Sequence, residues 1–191
     1  ERGAFSAAGG HEGMRRVIPG ALLKEHPEYF ALKNGKRAAE GRVNRCLAHP
    51  EVQKRMADYY IGLLRKAPET VIDFIGEDDS SAFCECAACR KMGTYNDRFS
   101  ISTLFHRYCK SVGDLILKEF PKAHLRFWAY WNYRNLPEDP AIRYESENSH
   151  LLYATHQKCY VHDFSEKTVC NRELYGLSHQ QFQHDRSIKA R

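Results

Sequence analysis

Three consecutive acids, Glu77, Asp78 and Asp79, are the residues of this sequence best suited to acid catalysis. They follow an apolar run that ends at Gly76, so we expect them in the loop after a buried strand. Neighbouring carboxylates repel one another, and in a partly buried loop at least one should keep its proton and act as a general acid. A solvated acidic turn is the alternative, because clustered acids are only probabilistic evidence of a site.

Three cysteines follow closely: Cys84, Cys86 and Cys89 form the pattern C-x-C-x-x-C. Thiolates at this spacing can wrap one tetrahedral metal ion such as zinc, and Cys46 is the natural fourth ligand. A disulfide that ties this loop to Cys46 or to another cysteine, or a group of free buried thiols, explains the pattern equally well. In each case we expect the cysteines to brace the loop that carries the acids rather than to react.

An aromatic segment supplies candidate residues for sugar binding. Trp128, Tyr130, Trp131 and Tyr133 alternate along a strand-like run, which places them in two pairs on opposite faces. A sugar ring stacks on an aromatic plane with a polar edge. Core packing is the alternative, and it is expected for at least two of the four.

Amphipathic helices and buried strands must position these residues. Apolar side chains at three- and four-residue spacing predict the helices, and β-branched and aromatic runs predict the strands. The helices are expected at about 50–68 and 101–120, and the strands at about 70–76, 125–133 and 150–157. Strands that alternate with one-sided helices indicate an α/β fold with a parallel sheet. Ligand-binding loops gather at the carboxyl end of such a sheet, where the three acids would lie.

Two short signals refine this expectation. Asn34-Gly35 predicts a hairpin, because both residues tolerate the positive φ angles of a tight turn. Asp97 is a candidate cap for the helix that follows it.

Composition limits the classes of function. The chain has 191 residues, 42% of them hydrophobic and 28% charged, which is typical of a single soluble globular domain over 1–191. The net charge of +5 is scattered along the chain, so we expect no nucleic-acid partner. No apolar run reaches the roughly 20 residues of a membrane-spanning helix. The chain does not begin with Met, and we expect it to be an excerpt.

Six segments of the chain occur in a characteristic order. They are HPEYFALKNGKR, CLAHPEVQKRMADYY, EDDSSAFCECAAC, YNDRF, AYWNYRNLPE and CYVHDFSEKTVCNREL. This order resembles a bacterial domain of unknown function related to glycoside hydrolase family 163. The resemblance spans nearly the whole chain, and the acidic pair before C-x-C-x-x-C is its most specific piece.

The resemblance implies a fold and an activity. Members of that group look like (β/α)8 TIM barrels, and the characterised branch is similar in role to endo-acting β-N-acetylglucosaminidases that act on N-glycans. Only about three of the eight strands of a closed barrel are recognisable, so we expect a partial barrel that is a fragment of a larger one. The implied location is secreted or periplasmic, and the implied partner is a glycan.

The resemblance also implies roles for individual residues. Asp79 would be the acid and Asp78 its partner, with Glu77 able to replace either, and catalysis would need no cofactor. One carboxyl would protonate the leaving oxygen, while the second would stabilise positive charge or orient the acetamide of the substrate.

The implied binding residues are His11, Trp128, Tyr130 and Tyr133, and His156 is a further candidate. A lone histidine is nevertheless more often structural than functional. The competing hypothesis is a non-catalytic carbohydrate- or partner-binding module in which the acids are solvated and the cysteines hold a structural metal.

Overall fold

The described part of the chain has a mixed α/β architecture. The computed structural model describes residues 7–9, 13–40, 44–74, 82–135, 137, 139–142, 147–153 and 161. The helices are α1 (Gly13–Val17), α2 (Pro50–Lys66), α3 (Ala87–Met92) and α4 (Ile101–Glu119). The strands are β1 (Ala7–Gly9), β2 (Leu32–Lys33), β3 (Lys36–Arg37), β4 (Val71–Phe74), β5 (Thr94–Tyr95), β6 (Arg98–Phe99), β7 (Leu125–Ala129) and β8 (Ser149–Tyr153). Short 3₁₀ turns cover Gly20–Leu23, Pro27–Tyr29 and Trp131–Tyr133.

A four-stranded sheet in the order β1-β4-β7-β8 forms the centre. All three neighbouring pairs are parallel. Parallel neighbours need a crossover connection, and α2 lies in the connection from β1 to β4 while α4 lies in the connection from β4 to β7. The predicted α/β class with a parallel sheet and packed helices is therefore confirmed. The partial TIM barrel stays a prediction.

Both long helices begin where the sequence provides a cap. Pro50 occupies the first turn of α2, and the His49 side chain accepts a hydrogen bond from the Glu51 N–H at 3.2 Å. Helix α4 is capped by Ser100, whose hydroxyl oxygen accepts from the Thr103 N–H at 3.4 Å. The prediction that Asp97 caps α4 is wrong, because this residue has a φ of 61° in the turn that joins β5 to β6.

The main core lies between one face of the sheet and the two long helices. Ile72, Phe74, Leu125 and Phe127 alternate with more exposed residues along β4 and β7 and are at most 2% exposed. The Phe74 and Phe127 rings stack at 4.9 Å between centroids. The helices contribute buried stripes at helical spacing: Met56, Tyr60, Ile61 and Leu64 from α2, and Leu104, Phe105, Tyr108, Val112 and Ile116 from α4.

The aromatic segment departs from strand geometry earlier than predicted. Strand β7 ends at Ala129, and Trp131 has a φ of 48° at the start of a 3₁₀ turn. A left-handed residue cannot continue an extended strand, so the predicted alternation up to Tyr133 is wrong. Trp131 is 45% exposed, whereas Tyr133 is 3% exposed.

The predicted hairpin at Asn34-Gly35 is confirmed. These residues have φ angles of 49° and 75° and join antiparallel strands β2 and β3. The pair of positive φ angles is the requirement of a two-residue hairpin turn, which glycine meets without steric cost.

We predict that His106 makes the stability of the fold depend on pH. This α4 residue is 1% exposed and its Nε2–H donates to the Tyr133 carbonyl at 3.4 Å, and burial lowers its pKa from 6.5 to about 4. Between these values the unfolded chain binds more protons, so the free energy of unfolding should fall by about 3 kcal/mol from pH 7 to pH 4 through this residue. In urea unfolding, the free energy of unfolding of His106→Gln should therefore change by about 3 kcal/mol less between pH 7 and pH 4 than that of the wild type.

The exposed residue His150 provides the control, because His150→Gln should keep the pH dependence of the wild type. Equal slopes in the wild type and His106→Gln would show that His106 is not the titrating group.

Candidate functional site

Four cysteine sulfurs converge in the described part of the chain. The Sγ atoms of Cys46, Cys84, Cys86 and Cys89 all lie within 4.8 Å of one another. The Cys46 sulfur is 3.6 Å from that of Cys89 and 3.7 Å from that of Cys86. A tetrahedral zinc ion with Zn–S bonds of about 2.3 Å separates its sulfurs by about 3.8 Å. The cluster therefore has the dimensions that a single tetrahedral ion requires.

The geometry of the four cysteines does not favour a disulfide. All four residues of the cluster are free thiols. The sulfur separations of 3.6 and 3.7 Å are far longer than the roughly 2.0 Å of an S–S bond. A cluster of four cysteines that could hold a metal ion is thus present, as the sequence indicated.

Local structure explains how the four residues meet. Cys86 is the N-cap of α3 and Cys89 lies in its first turn, so the C-x-x-C spacing places both sulfurs at the start of one helix. Cys84 comes from the irregular segment just before α3. Cys46 precedes α2 and is fixed by backbone bonds, since its N–H donates to the Tyr29 carbonyl at 2.8 Å and its carbonyl accepts from His49 at 3.0 Å. The cluster thereby joins the start of α2 to the start of α3.

Burial and backbone donors shape the electrostatics of the cluster. Cys46 and Cys84 are 2% exposed, Cys89 is fully buried and Cys86 is half-buried. The Leu32 N–H donates to the Cys84 sulfur at 3.2 Å. The Cys89 N–H points to the Cys86 sulfur at 3.5 Å. Donors of this kind stabilise thiolate charge and orient metal ligands.

The sulfurs cannot all ionise without a cation. Hydrogen bonding with Cys84 raises the pKa of Cys46 to about 12, and hydrogen bonding with Cys46 raises the pKa of Cys89. The same contacts, with Cys46 and Cys89 as donors, lower the pKa of Cys84. Among these three thiols, the contacts favour ionisation of Cys84 and disfavour that of Cys46 and Cys89. A bound divalent ion would displace the remaining protons.

The β2–β3 hairpin is fastened to the cysteine segment through Glu85. The Glu85 N–H donates to the Leu32 carbonyl at 2.8 Å, and its carboxylate accepts from Lys33 Nζ at 2.6 Å and from the Asn34 N–H at 2.9 Å. Hydrogen bonding to Lys33 lowers the pKa of Glu85. The hairpin thus flanks the cluster on the side of Cys84.

Several predicted site residues fall outside the described residues. These are the three acids Glu77, Asp78 and Asp79 and the histidines His11 and His156. Their roles stay predictions.

The predicted aromatic residues differ in their surroundings. Tyr133 is 3% exposed and its ring lies 4.1 Å from that of Phe105, so it packs in the core and has little surface for a ligand. Tyr130 is half-buried and meets Tyr133 edge-on at 6.1 Å. Trp128 is half-buried on β7, where its indole N–H donates to Asp73 at 3.1 Å.

Asp73 and Arg126 form an ion pair that the sequence interpretation missed. The Arg126 Nε–H and Nη2–H both donate to the Asp73 carboxylate, one to each oxygen. Parallel pairing of β4 with β7 puts the two residues opposite each other. The only local signal was a charged residue between apolar neighbours in each strand, which indicates a second, polar face of the sheet.

Comparison with known families identifies the domain. A family model described as "Domain of unknown function (DUF4838)" matches residues 2–146. The chain belongs to this family. The match contains the three acids, all four cysteines of the cluster and the segment with Trp128.

The DUF4838 match confirms the predicted domain of unknown function, while the relation to glycoside hydrolase family 163 stays a prediction. No curated protein and no solved structure matches the chain significantly. Among the described helices of the DUF4838 domain, none has the length and apolar character needed to cross a membrane.

We predict that Glu85 anchors the hairpin of the DUF4838 domain. Glu85→Gln removes the charge that binds Lys33 and weakens the bond from the Asn34 N–H, so the free energy of unfolding should fall by more than it does in Glu119→Gln. Denaturant unfolding of the purified protein measures this change.

Glu119→Gln is the matched control, because Glu119 pairs with Arg65 at 2.8 Å on the helix surface without a backbone donor among the described contacts. An exposed pair of this kind contributes little to stability. Equal losses in the two variants would contradict an anchoring role for Glu85.

Proposed function

We propose that the DUF4838 domain binds a structural zinc ion through Cys46, Cys84, Cys86 and Cys89. The support is the four sulfurs within 4.8 Å of one another, three of them buried. All-thiolate donor sets select zinc or iron, and a closed set of four protein ligands leaves no open position for substrate. The ion would therefore serve the fold rather than the chemistry. It would hold the segment that follows β4 against the start of α2.

We predict that the purified chain binds one zinc ion and loses stability when a chelator removes it. Cys84→Ser and Cys89→Ser should abolish stoichiometric binding, because three thiolates leave the tetrahedral set incomplete. Elemental analysis gives the stoichiometry. Replacement by Co(II) should give the visible absorption of a tetrahedral thiolate complex.

Cys109→Ala provides the control, since Cys109 is a buried free thiol on α4 outside the cluster. It should keep the full metal content. The proposal would be contradicted if the wild-type protein bound no zinc at micromolar concentration. It would also be contradicted if Cys109→Ala lost as much zinc as Cys84→Ser and Cys89→Ser.

We further propose that the domain hydrolyses glycans that contain β-linked N-acetylglucosamine. The support from geometry is the parallel pairing of β4 with β7, in which Phe74 is in register with Phe127. The chain leaving β4 towards Glu77, Asp78 and Asp79 and the chain leaving β7 after Ala129 therefore depart from the same edge of the sheet. That edge is where parallel α/β folds collect their ligand-binding loops.

In this mechanism Asp79 protonates the leaving oxygen. Asp78 stabilises the developing positive charge or orients the acetamide group of the substrate, and Glu77 can replace either acid. Trp128 and Tyr130 supply the aromatic surface near the same edge. An extracytoplasmic location belongs to the same proposal, because N-glycans are found there.

We predict that Asp79→Asn lowers kcat for an N-glycan by about a hundredfold or more, since a general acid typically contributes that factor. Glycan binding should persist, because the amide keeps the size of the carboxyl. Cleavage of a labelled N-glycopeptide is followed by mass spectrometry.

Asp58→Asn is the control, because Asp58 is exposed on α2 and pairs with Lys54. Unchanged turnover in Asp79→Asn would remove Asp79 from the mechanism. Glycan binding by the wild type without any cleavage would instead favour the non-catalytic binding module.

A further inference from the structure

The central sheet has a second face, opposite the one that packs against α2 and α4. Ile72 and Phe74 point towards α2 and α4, so Asp73 points the opposite way on β4. Arg126 and Trp128 share that opposite face on β7, because they alternate with the buried residues of the strand. Residues 126 and 128 are half-buried.

Three side chains on this face are locked together. The Asp73 carboxylate accepts two hydrogen bonds from Arg126 and one from the Trp128 indole N–H at 3.1 Å. The Asp73 side chain is 12% exposed and that of Arg126 is 31% exposed. A bidentate pair holds both partners in one geometry, and the indole bond fixes the edge of the Trp128 ring. These contacts form a preorganised polar surface beside an aromatic ring.

The surface keeps unused hydrogen-bonding capacity. A guanidinium carries five N–H donors, and among the described residues the Nη1 donors of Arg126 have no protein partner. A carboxylate offers about four acceptor positions, of which Asp73 uses three with partners among the described residues. The register places Gly9 of β1 beside Asp73 and the exposed residue His150 of β8 beside Arg126. Glycine has no side chain to cover the carboxylate.

We propose that Asp73, Arg126 and Trp128 form a binding subsite for a neutral pyranose ring on the face of the sheet opposite α2 and α4. This inference deepens the proposed glycan hydrolysis and rests on it. The charges of Asp73 and Arg126 cancel, which favours a neutral polyol over an anion. The free guanidinium donors match the hydroxyl oxygens of a sugar. The half-buried Trp128 ring offers an apolar plane to the face of the pyranose.

The subsite also lies near the carboxyl edge of the sheet, where β4 and β7 end. Trp128 is the penultimate residue of β7, so it sits near the carboxyl edge from which the acidic segment leaves β4. A sugar bound on the sheet face would reach towards that edge.

Tryptophan fluorescence tests the subsite directly. The sequence contains two tryptophans, so Trp131→Phe leaves Trp128 as the single reporter. This protein is titrated with N,N′-diacetylchitobiose, with cellobiose and with the anionic sugar galacturonate. We expect a saturable fluorescence change with a neutral disaccharide and none with galacturonate. Arg126→Met and Asp73→Asn in the same background should weaken binding about tenfold or more, as expected for loss of a charge-assisted hydrogen bond.

The matched control is Arg65→Met. Arg65 forms an arginine–carboxylate pair with Glu119 on the helix surface, where its side chain is 64% exposed. This variant removes the same kind of side chain on the helical side and should bind like the parent. Arg126→Lys keeps the charge but not the bidentate geometry, so it should still weaken binding if Arg126→Met fails to fold. Circular dichroism and thermal unfolding report folding for each protein.

The outcomes separate this subsite from the hydrolase proposal. Binding that needs Arg126 without any cleavage supports the subsite and overturns the hydrolase. Cleavage with an unchanged KM in Arg126→Lys overturns the subsite and leaves the hydrolase in place. Absence of binding to every neutral sugar, or binding to galacturonate alone, also overturns the subsite.

Discussion

The convergence of four cysteine sulfurs is the constraint on which this part of the fold depends. Cys46 lies before α2, whereas Cys84, Cys86 and Cys89 lie around the start of α3, some forty residues further along the chain. Their sulfurs nevertheless fall within 4.8 Å of one another. Burying several ionised thiolates together is unfavourable without a cation. Accordingly, the contacts within the cluster lower the pKa of Cys84 and raise the pKa of Cys46. A divalent metal ion would resolve it.

The sheet fixes β4, and the cysteine cluster fixes the segment around Cys84 that follows it in the chain. Strand β4 is held in the sheet by β1 and β7, and the cysteine segment that follows it is held by Cys46 and by the hairpin bonds of Glu85. A segment with both ends fixed needs less ordering to bind a ligand. The acids Glu77, Asp78 and Asp79 lie in the sequence between β4 and the cysteines, so a structural ion would bear on the catalytic role proposed for them.

Sequence patterns predicted the features that are encoded locally. Helices α2 and α4, the cores of β4, β7 and β8 and the Asn34-Gly35 turn follow from periodicity and turn chemistry. The cap of α4 was misplaced because Asp97, a good capping type, is used in a tight turn, and Ser100 takes the cap. Strand β7 was predicted too long because Trp131 adopts a left-handed φ that no neighbouring residue type indicates.

Features that depend on pairing between distant segments were not predictable. The Asp73–Arg126 bond follows from the register of β4 with β7, which is a property of the assembled sheet. Short elements such as β1 and α3 have too few residues to show a period. The cysteines were recognised because their spacing carries chemistry by itself, and the fold brings the predicted fourth member, Cys46, to the other three.

The most direct test of the central claim is zinc K-edge X-ray absorption on the purified chain. The account predicts a first shell of four sulfur atoms at about 2.3 Å and no nitrogen or oxygen ligand. A first shell that contains nitrogen or oxygen, or protein that carries no zinc, would contradict it.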